Sequence, residues 1–118
     1  MNVRRPEILT LSVTGLARAL AFWHDVLRLP VKLRGERYVE LQAETVLIVL
    51  RESGDEASEP GPSPVLGWEV ADLDAAAAEL TGRGVEMLPV EDRGPAGRRR
   101  AFRDPDGHRL ELVEYPTK

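Results

Sequence analysis

Shifting the 118-residue chain by 57 positions lays Leu9 on Leu66, Val13 on Val70, Leu16 on Leu73, Ala19 on Ala76 and Ala21 on Ala78. Five identities over the 21 positions from Leu9 to Leu29 gain weight because each half also predicts the same order of elements. In the first half, Leu9, Leu11 and Val13 alternate with Thr10 and Ser12, the mark of a half-buried strand over Glu7–Val13. Gly15–Leu29 switches to helical period, with Leu16, Leu20, Trp23 and Leu27 on one face, and Pro30 stops it. Val31–Leu33, Arg37–Leu41 and Thr45–Arg51 read as three short strands. In the second half, Val65–Val70 is a strand and Asp72 is suited to cap a helix over Leu73–Gly82. Gly84 closes that helix, and Val85–Val90, Arg99–Arg103 and His108–Tyr115 are three more strands. Between the halves, Glu52–Pro64 holds glycines, prolines, serines and acids with almost nothing apolar, a linker composition. The pattern predicts an α+β chain of two tandem βαβββ modules, about 5–51 and 65–116, joined by the linker 52–64 within one domain, 1–118.

Composition narrows what such a chain can do. A net charge of −4 leaves no basic surface for nucleic acid. With no cysteine there is no disulfide framework, thiolate metal site or cysteine nucleophile. The longest apolar run, Thr45–Leu50, falls far short of the ~20 residues a membrane span needs. No basic start leads into an apolar segment, so no secretion signal is expected. These features predict a soluble, cytoplasmic protein with neither nucleic-acid nor membrane partners.

Several segments then match one family. Leu11-Ser-Val13-Thr-Gly-Leu16, Ala21-Phe22-Trp23 and Val26-Leu27-Arg-Leu29-Pro30 resemble the opening of the vicinal oxygen chelate superfamily, which usually shows V-x-D-L, F-Y and L-G-L-P there. Val70-Ala-Asp72-Leu73 is similar to the start of its second module. Arg103-Asp104-Pro105-Asp106-Gly107-His108-Arg109-Leu110-Glu111-Leu112 is similar to its most recognisable signature, the D-P-D-G hairpin before the last strand. The resemblance covers the whole chain, and that hairpin is its most specific part. The chain departs from the pattern at Gly15, where an Asp is usual, and at Arg28, where a Gly usually ends the first helix; both positions concern helix ends. The superfamily includes glyoxalase I, extradiol dioxygenases, fosfomycin-resistance enzymes, methylmalonyl-CoA epimerase and bleomycin-resistance proteins. The resemblance implies a curved mixed sheet around a cleft, the glyoxalase/bleomycin resistance fold, commonly paired as a homodimer. The Asp-Pro-Asp-Gly turn itself needs no chemistry: Asp104 bonds back to the turn, Pro105 presets φ and Gly107 takes a positive φ.

In this family four side chains hold a divalent metal. Carried onto this sequence, those positions are Ile8, Val49, Val65 and Glu111. Three are branched aliphatics with no electron pair to give. Sliding the first strand by one would bring Glu7 into place, but it would also turn Leu9, Leu11 and Val13 off the helix, each worth roughly 1.5–3 kcal/mol of burial. Glu69 lies four residues along from Val65, about 13 Å at strand rise. No metal and no other cofactor is therefore expected. The two histidines, His24 and His108, fall outside the ligand positions and read as surface or capping residues, with a catalytic base as the other reading.

Strand parity groups Glu111 with Tyr38, Glu40, Arg51 and Glu69 around the cleft. A buried carboxylate there must be paired, hydrogen-bonded or protonated. It is either salt-bridged, to Arg51 or within the run Arg98–Arg100, or a polar contact for a ligand, or a metal-free general base, the one weak catalytic candidate. Trp68 shares parity with Leu66 and Val70 and belongs to the core. Trp23 is open between packing and stacking on a ligand, and Arg98–Arg100 between a solvated strand end and a lip for an anion. The predicted ligand-binding set is thus Trp23, Tyr38, Glu40, Arg51, Glu69 and Glu111, its acids favouring a cationic or hydrogen-bond-donating ligand. The first functional expectation is a metal-free small-molecule binder resembling the bleomycin-resistance branch, sequestering an antibiotic or other secondary metabolite. The alternative is a metal-dependent lyase, isomerase or dioxygenase of the same superfamily. Whether any reaction is catalysed is left open, with the balance against it.

Overall fold

The computed structural model describes residues 8–52 and 65–116. The chain divides into two compact units, 1–59 and 60–118, and the division falls inside the predicted linker, whose residues 53–64 lie outside the described residues, as does Glu7. The first unit runs β1 (Ile8–Val13), α1 (Leu16–Leu20), a π-helical segment (Ala21–Val26), β2 (Val31–Arg34), β3 (Tyr38–Ala43) and β4 (Val46–Glu52). The second runs β5 (Leu66–Glu69), α2 (Leu73–Gly82), β6 (Glu91–Asp92), a 3-10 turn (Gly94–Ala96), β7 (Arg98–Arg103) and β8 (Arg109–Glu114). Each unit forms a four-stranded mixed sheet with the same order, β1-β4-β3-β2 and β5-β8-β7-β6. In each, the first strand pairs in parallel with the last and the other pairs are antiparallel. The repeat seen in the sequence is therefore a repeat of topology, two βαβββ units.

In both sheets alternation separates a helix-facing side from the side turned away. Leu9 and Leu11 of β1 stand beside Ile48 and Leu50 of β4. Leu11, Ile48 and Leu50, with Val13, Leu16, Ala19, Trp23, Val39 and Leu41, supply the buried apolar layer under α1, and Leu9 is half-buried. In the second unit Leu73, Ala77 and Leu80 of α2 face Phe102, Leu110 and Leu112. Trp68, half-buried, stacks on Phe102 with ring centres 6.4 Å apart, as its parity predicts. Burial of each of these large side chains contributes roughly 1.5–3 kcal/mol.

The helix termini are fastened from a distance. Gly15 has no side chain to cap α1, and the Leu16 amide instead donates to Glu52 Oε2 at 3.1 Å, from the last residue of β4. The second unit repeats this: the Leu73 amide donates to Glu114 Oε1 at 3.4 Å, from the last residue of β8. There Asp72 also caps α2, accepting from the Ala75 amide at 3.0 Å, as predicted. At the other end Gly84 (φ 89°) donates to Thr81 O and Val85 to Leu80 O, the paired bonds that terminate a helix in the left-handed region.

Two predicted elements are corrected. The regular helix over Gly15–Leu29 is α-helical only to Leu20; beyond it the turns widen, with the Leu27 amide bonded to Phe22 O, five residues back. The wider turn keeps Trp23 in the core and leaves Leu20 and Leu27 only half-buried. It ends on Arg28 at φ 63°, a left-handed conformation that costs a side-chain-bearing residue roughly 1–2 kcal/mol. Arg28→Gly should remove that strain, less glycine's own entropy cost, and raise the urea midpoint by about 0.5–1 kcal/mol equivalent; a lowered midpoint would contradict the assignment. The second correction is the strand expected over Val85–Val90. That segment is irregular: the Leu88 amide donates to Ala101 O at 2.8 Å, but the ladder with β7 is confined to Glu91–Asp92. Pro89 has no amide to donate, and the Leu88 carbonyl is taken by Arg100 Nε at 2.8 Å.

Candidate functional site

On β8, Leu110 and Leu112 face α2, so Arg109, Glu111 and Val113 face away from it. Register places Gly67 of β5 and Ala101 of β7 beside Glu111. The next row runs Glu69, Val113, Arg99, Glu91 across the four strands. Together with Val65, Arg93 and Tyr115 this side of the sheet encloses a trough of about 530 Å³, a volume suited to a small organic molecule.

Glu111 is only 7% exposed, deep in the trough. Its Oε2 accepts from Arg99 Nη1 at 3.2 Å and its Oε1 lies 3.5 Å from Arg109 Nε, so a guanidinium stands against each oxygen. The sequence left Arg51 and the run Arg98–Arg100 as candidate partners; Arg99 is the one the fold supplies. Arg109 was missed, although two residues along a strand from Glu111 is the same side, and parity alone would have found it. Arg99 is further held by Ala96 O at 2.5 Å from its Nη2, while its buried Nε has no acceptor among the described residues. Arg93 reaches the trough from the loop after β6, where no periodicity would place it. Its Nε donates to Glu91 Oε1 at 2.9 Å. That bond holds the Glu91 carboxyl below the usual carboxylate range, helped by the charges of Arg93, Arg109 and Arg99.

The rest of the predicted ligand set belongs to both units. Tyr38 and Glu40, half-buried, and Arg51, exposed, lie on the side of the first sheet turned away from α1, with Tyr38 opposite Arg51 and Glu40 opposite Val49. Glu69 and Glu111 belong to the second sheet. Trp23 is 0% exposed, edge-on to Phe22 at 6.1 Å in the first unit's core, and packing uses its whole surface. Arg98 pairs with Glu114 on the helix-facing side, so of the three consecutive arginines Arg99 alone lines the trough.

The four metal positions implied by the family resemblance carry poor donors in the structure as in the sequence. Ile8, Val49 and Val65 are hydrocarbon, and Glu111 is bound on both oxygens by guanidinium. Among the described residues no three His, Cys, Asp or Glu side chains are grouped to hold a cation. The described residues at these positions do not fit a metal. The histidines are engaged in local structure: His24 Nδ1 lies 2.8 Å from Leu29 O, and His108 Nδ1 lies 2.7 Å from Asp104 Oδ2 in the hairpin turn.

A sequence model of the Glyoxalase/Bleomycin resistance protein/Dioxygenase superfamily matches residues 5–112. The chain belongs to that superfamily. Its similarity to a curated relative, metapyrocatechase of Pseudomonas sp. (strain CF600), is 35% identity over 130 aligned positions, covering 99% of this chain. The chain spans about two fifths (41%) of that protein's length. Superfamily folds of matching architecture include lactoylglutathione lyase from Agrobacterium tumefaciens, with a TM-score of 0.79 at 18% identity over 97% of this chain and 96% of that one. They also include TnmS3, an antibiotic binding protein from Streptomyces sp. CB03234, with a TM-score of 0.77 at 21% identity over 98% and 99%. At these identities the structures establish the superfamily's fold for this chain.

Proposed function

We propose that the protein binds a small organic molecule without a metal, in the trough of the second sheet, and releases it unchanged. The observation that carries this reading is the chemistry of the four metal positions: three hydrocarbons and one carboxylate already neutralised by Arg99 and Arg109. With Arg99 and Arg109 against its two oxygens, Glu111 has neither oxygen directed at a substrate. The likeness to an antibiotic binding protein agrees with sequestration of an antibiotic or similar metabolite. The homodimer and the cytoplasmic setting expected from the sequence belong to the same proposal.

The second reading, a metal-dependent dioxygenase, lyase or isomerase, draws on the metapyrocatechase relative. Elemental analysis of the purified protein separates the two. We expect substoichiometric transition metal that a chelator strips with no change in melting temperature. Stoichiometric Fe, Mn, Ni or Zn that survives chelation would overturn the binder.

A further inference from the structure

The sequence suggested a cationic or hydrogen-bond-donating ligand from the acids Glu40, Glu69 and Glu111, and the arginines around Glu111 favour a different ligand. We propose that the trough binds an organic monocarboxylate, its acid group seated on Arg93, Arg99 and Arg109 and its apolar body over Val65, Val113 and Tyr115. This rests on the binder reading and specifies its ligand class.

The guanidiniums decide it. The lining brings together Arg93, Arg99 and Arg109 with two carboxylates, Glu69 and Glu111, and Arg93 is paired with Glu91 outside the lining. Arg109 turns its Nε to Glu111 at 3.5 Å, which leaves its terminal nitrogens for a ligand, whereas Arg99 spends Nη1 on Glu111 and Nη2 on Ala96 O. A carboxylate supplies two acceptor oxygens in the geometry a guanidinium fork matches. A cationic ligand seated on Glu111 would have to displace an arginine from a carboxylate that is 7% exposed, and Glu69, exposed in the lining, is where it would bind otherwise. The body of the ligand has room because Gly67, beside Glu111, carries no side chain; a Cβ added there would sit 3.6 Å from Val113 and point into the trough without clash.

The sign of one substitution separates this from the cationic reading. Glu111→Gln removes the internal competitor for Arg99 and Arg109 while retaining a hydrogen-bond acceptor. The probe is benzoate, titrated by calorimetry and by amide chemical shifts beside benzamide, benzylammonium and inorganic phosphate. Benzoate should bind more tightly than all three, with its shifts on β5 and β8. Glu111→Gln should tighten benzoate several-fold. Arg109→Gln, at a half-exposed position, should weaken it about tenfold, equivalent to about 1.4 kcal/mol, and Gly67→Val should abolish it by filling the trough. Should Glu111→Gln not fold, the other two variants carry the test. Preference for benzylammonium, equal binding of benzamide or of phosphate, loss of benzoate affinity in Glu111→Gln, or no binding of any probe would overturn the proposal. Metal content is read separately. A tightly held metal with benzoate seated on the arginines rejects the metal-free reading and keeps the ligand class. A metal-free protein that prefers benzylammonium does the reverse.

Discussion

Trp23→Ala should cost about 3–5 kcal/mol and leave the protein largely unfolded at 37 °C. No part of the ring is exposed, and it sits in the first unit's buried layer where the helix has widened into π geometry. Truncation there leaves a void that the π-helical turn, fixed by the Leu27-to-Phe22 bond, cannot collapse to fill. Urea unfolding followed by far-ultraviolet circular dichroism measures the loss. A Trp23→Phe control should recover about half of it, since an aromatic ring is kept and only part of the volume is lost. A Trp23→Ala protein of near wild-type stability with impaired ligand binding would return the residue to the stacking role that its sequence position left open.

Asp104→Ala should be the second most damaging change, at about 2–4 kcal/mol. The carboxylate is buried at the tip between β7 and β8. Its Oδ1 accepts from the amides of His108 at 2.7 Å and Asp106 at 3.1 Å, and its Oδ2 meets His108 Nδ1 at 2.7 Å. Alanine leaves those donors stranded and frees the turn whose closure at Gly107 (φ 87°) sets the register of β8. A register slip of one residue would turn Glu111 toward the core and Leu110 and Leu112 away from it. Asp104→Asn, which keeps one acceptor oxygen, should recover the Oδ1 bonds and lose less than Asp104→Ala. Thermal unfolding of the two variants side by side gives the ranking; equal losses would mean that the hydrogen bonds are not what holds the turn.

The parts of the fold legible in the sequence were those with a local signal. Alternation at Leu9–Val13, the cap at Asp72 and the turn at Asp104–Gly107 each depend on neighbours a few positions apart, and the 57-residue repeat shows those same local signals twice. The π turn after Leu20 was illegible because its hydrophobic spacing near the start matches an ordinary helix and departs only over its last turn. The segment Val85–Val90 has the composition of a strand, but Pro89 and the Arg100 side chain take it out of the ladder. At the candidate site, strand parity placed Glu111 on the side of β8 away from α2 and offered Arg99, but not Arg109, as its partner. Arg93 arrives through a loop, where no periodicity signals it.

The bonds from Glu52 to Leu16 and from Glu114 to Leu73 join residues 36 and 41 positions apart. Contacts that far separated in sequence close only after the intervening chain is arranged, because the loop entropy comes first. Each carboxylate therefore acts as a completion latch: its helix receives this anchor only when the closing strand of the same half is home. A nascent or misthreaded half, missing that strand, is left with a frayed helix start, which gives the duplicated architecture two independent checks on assembly.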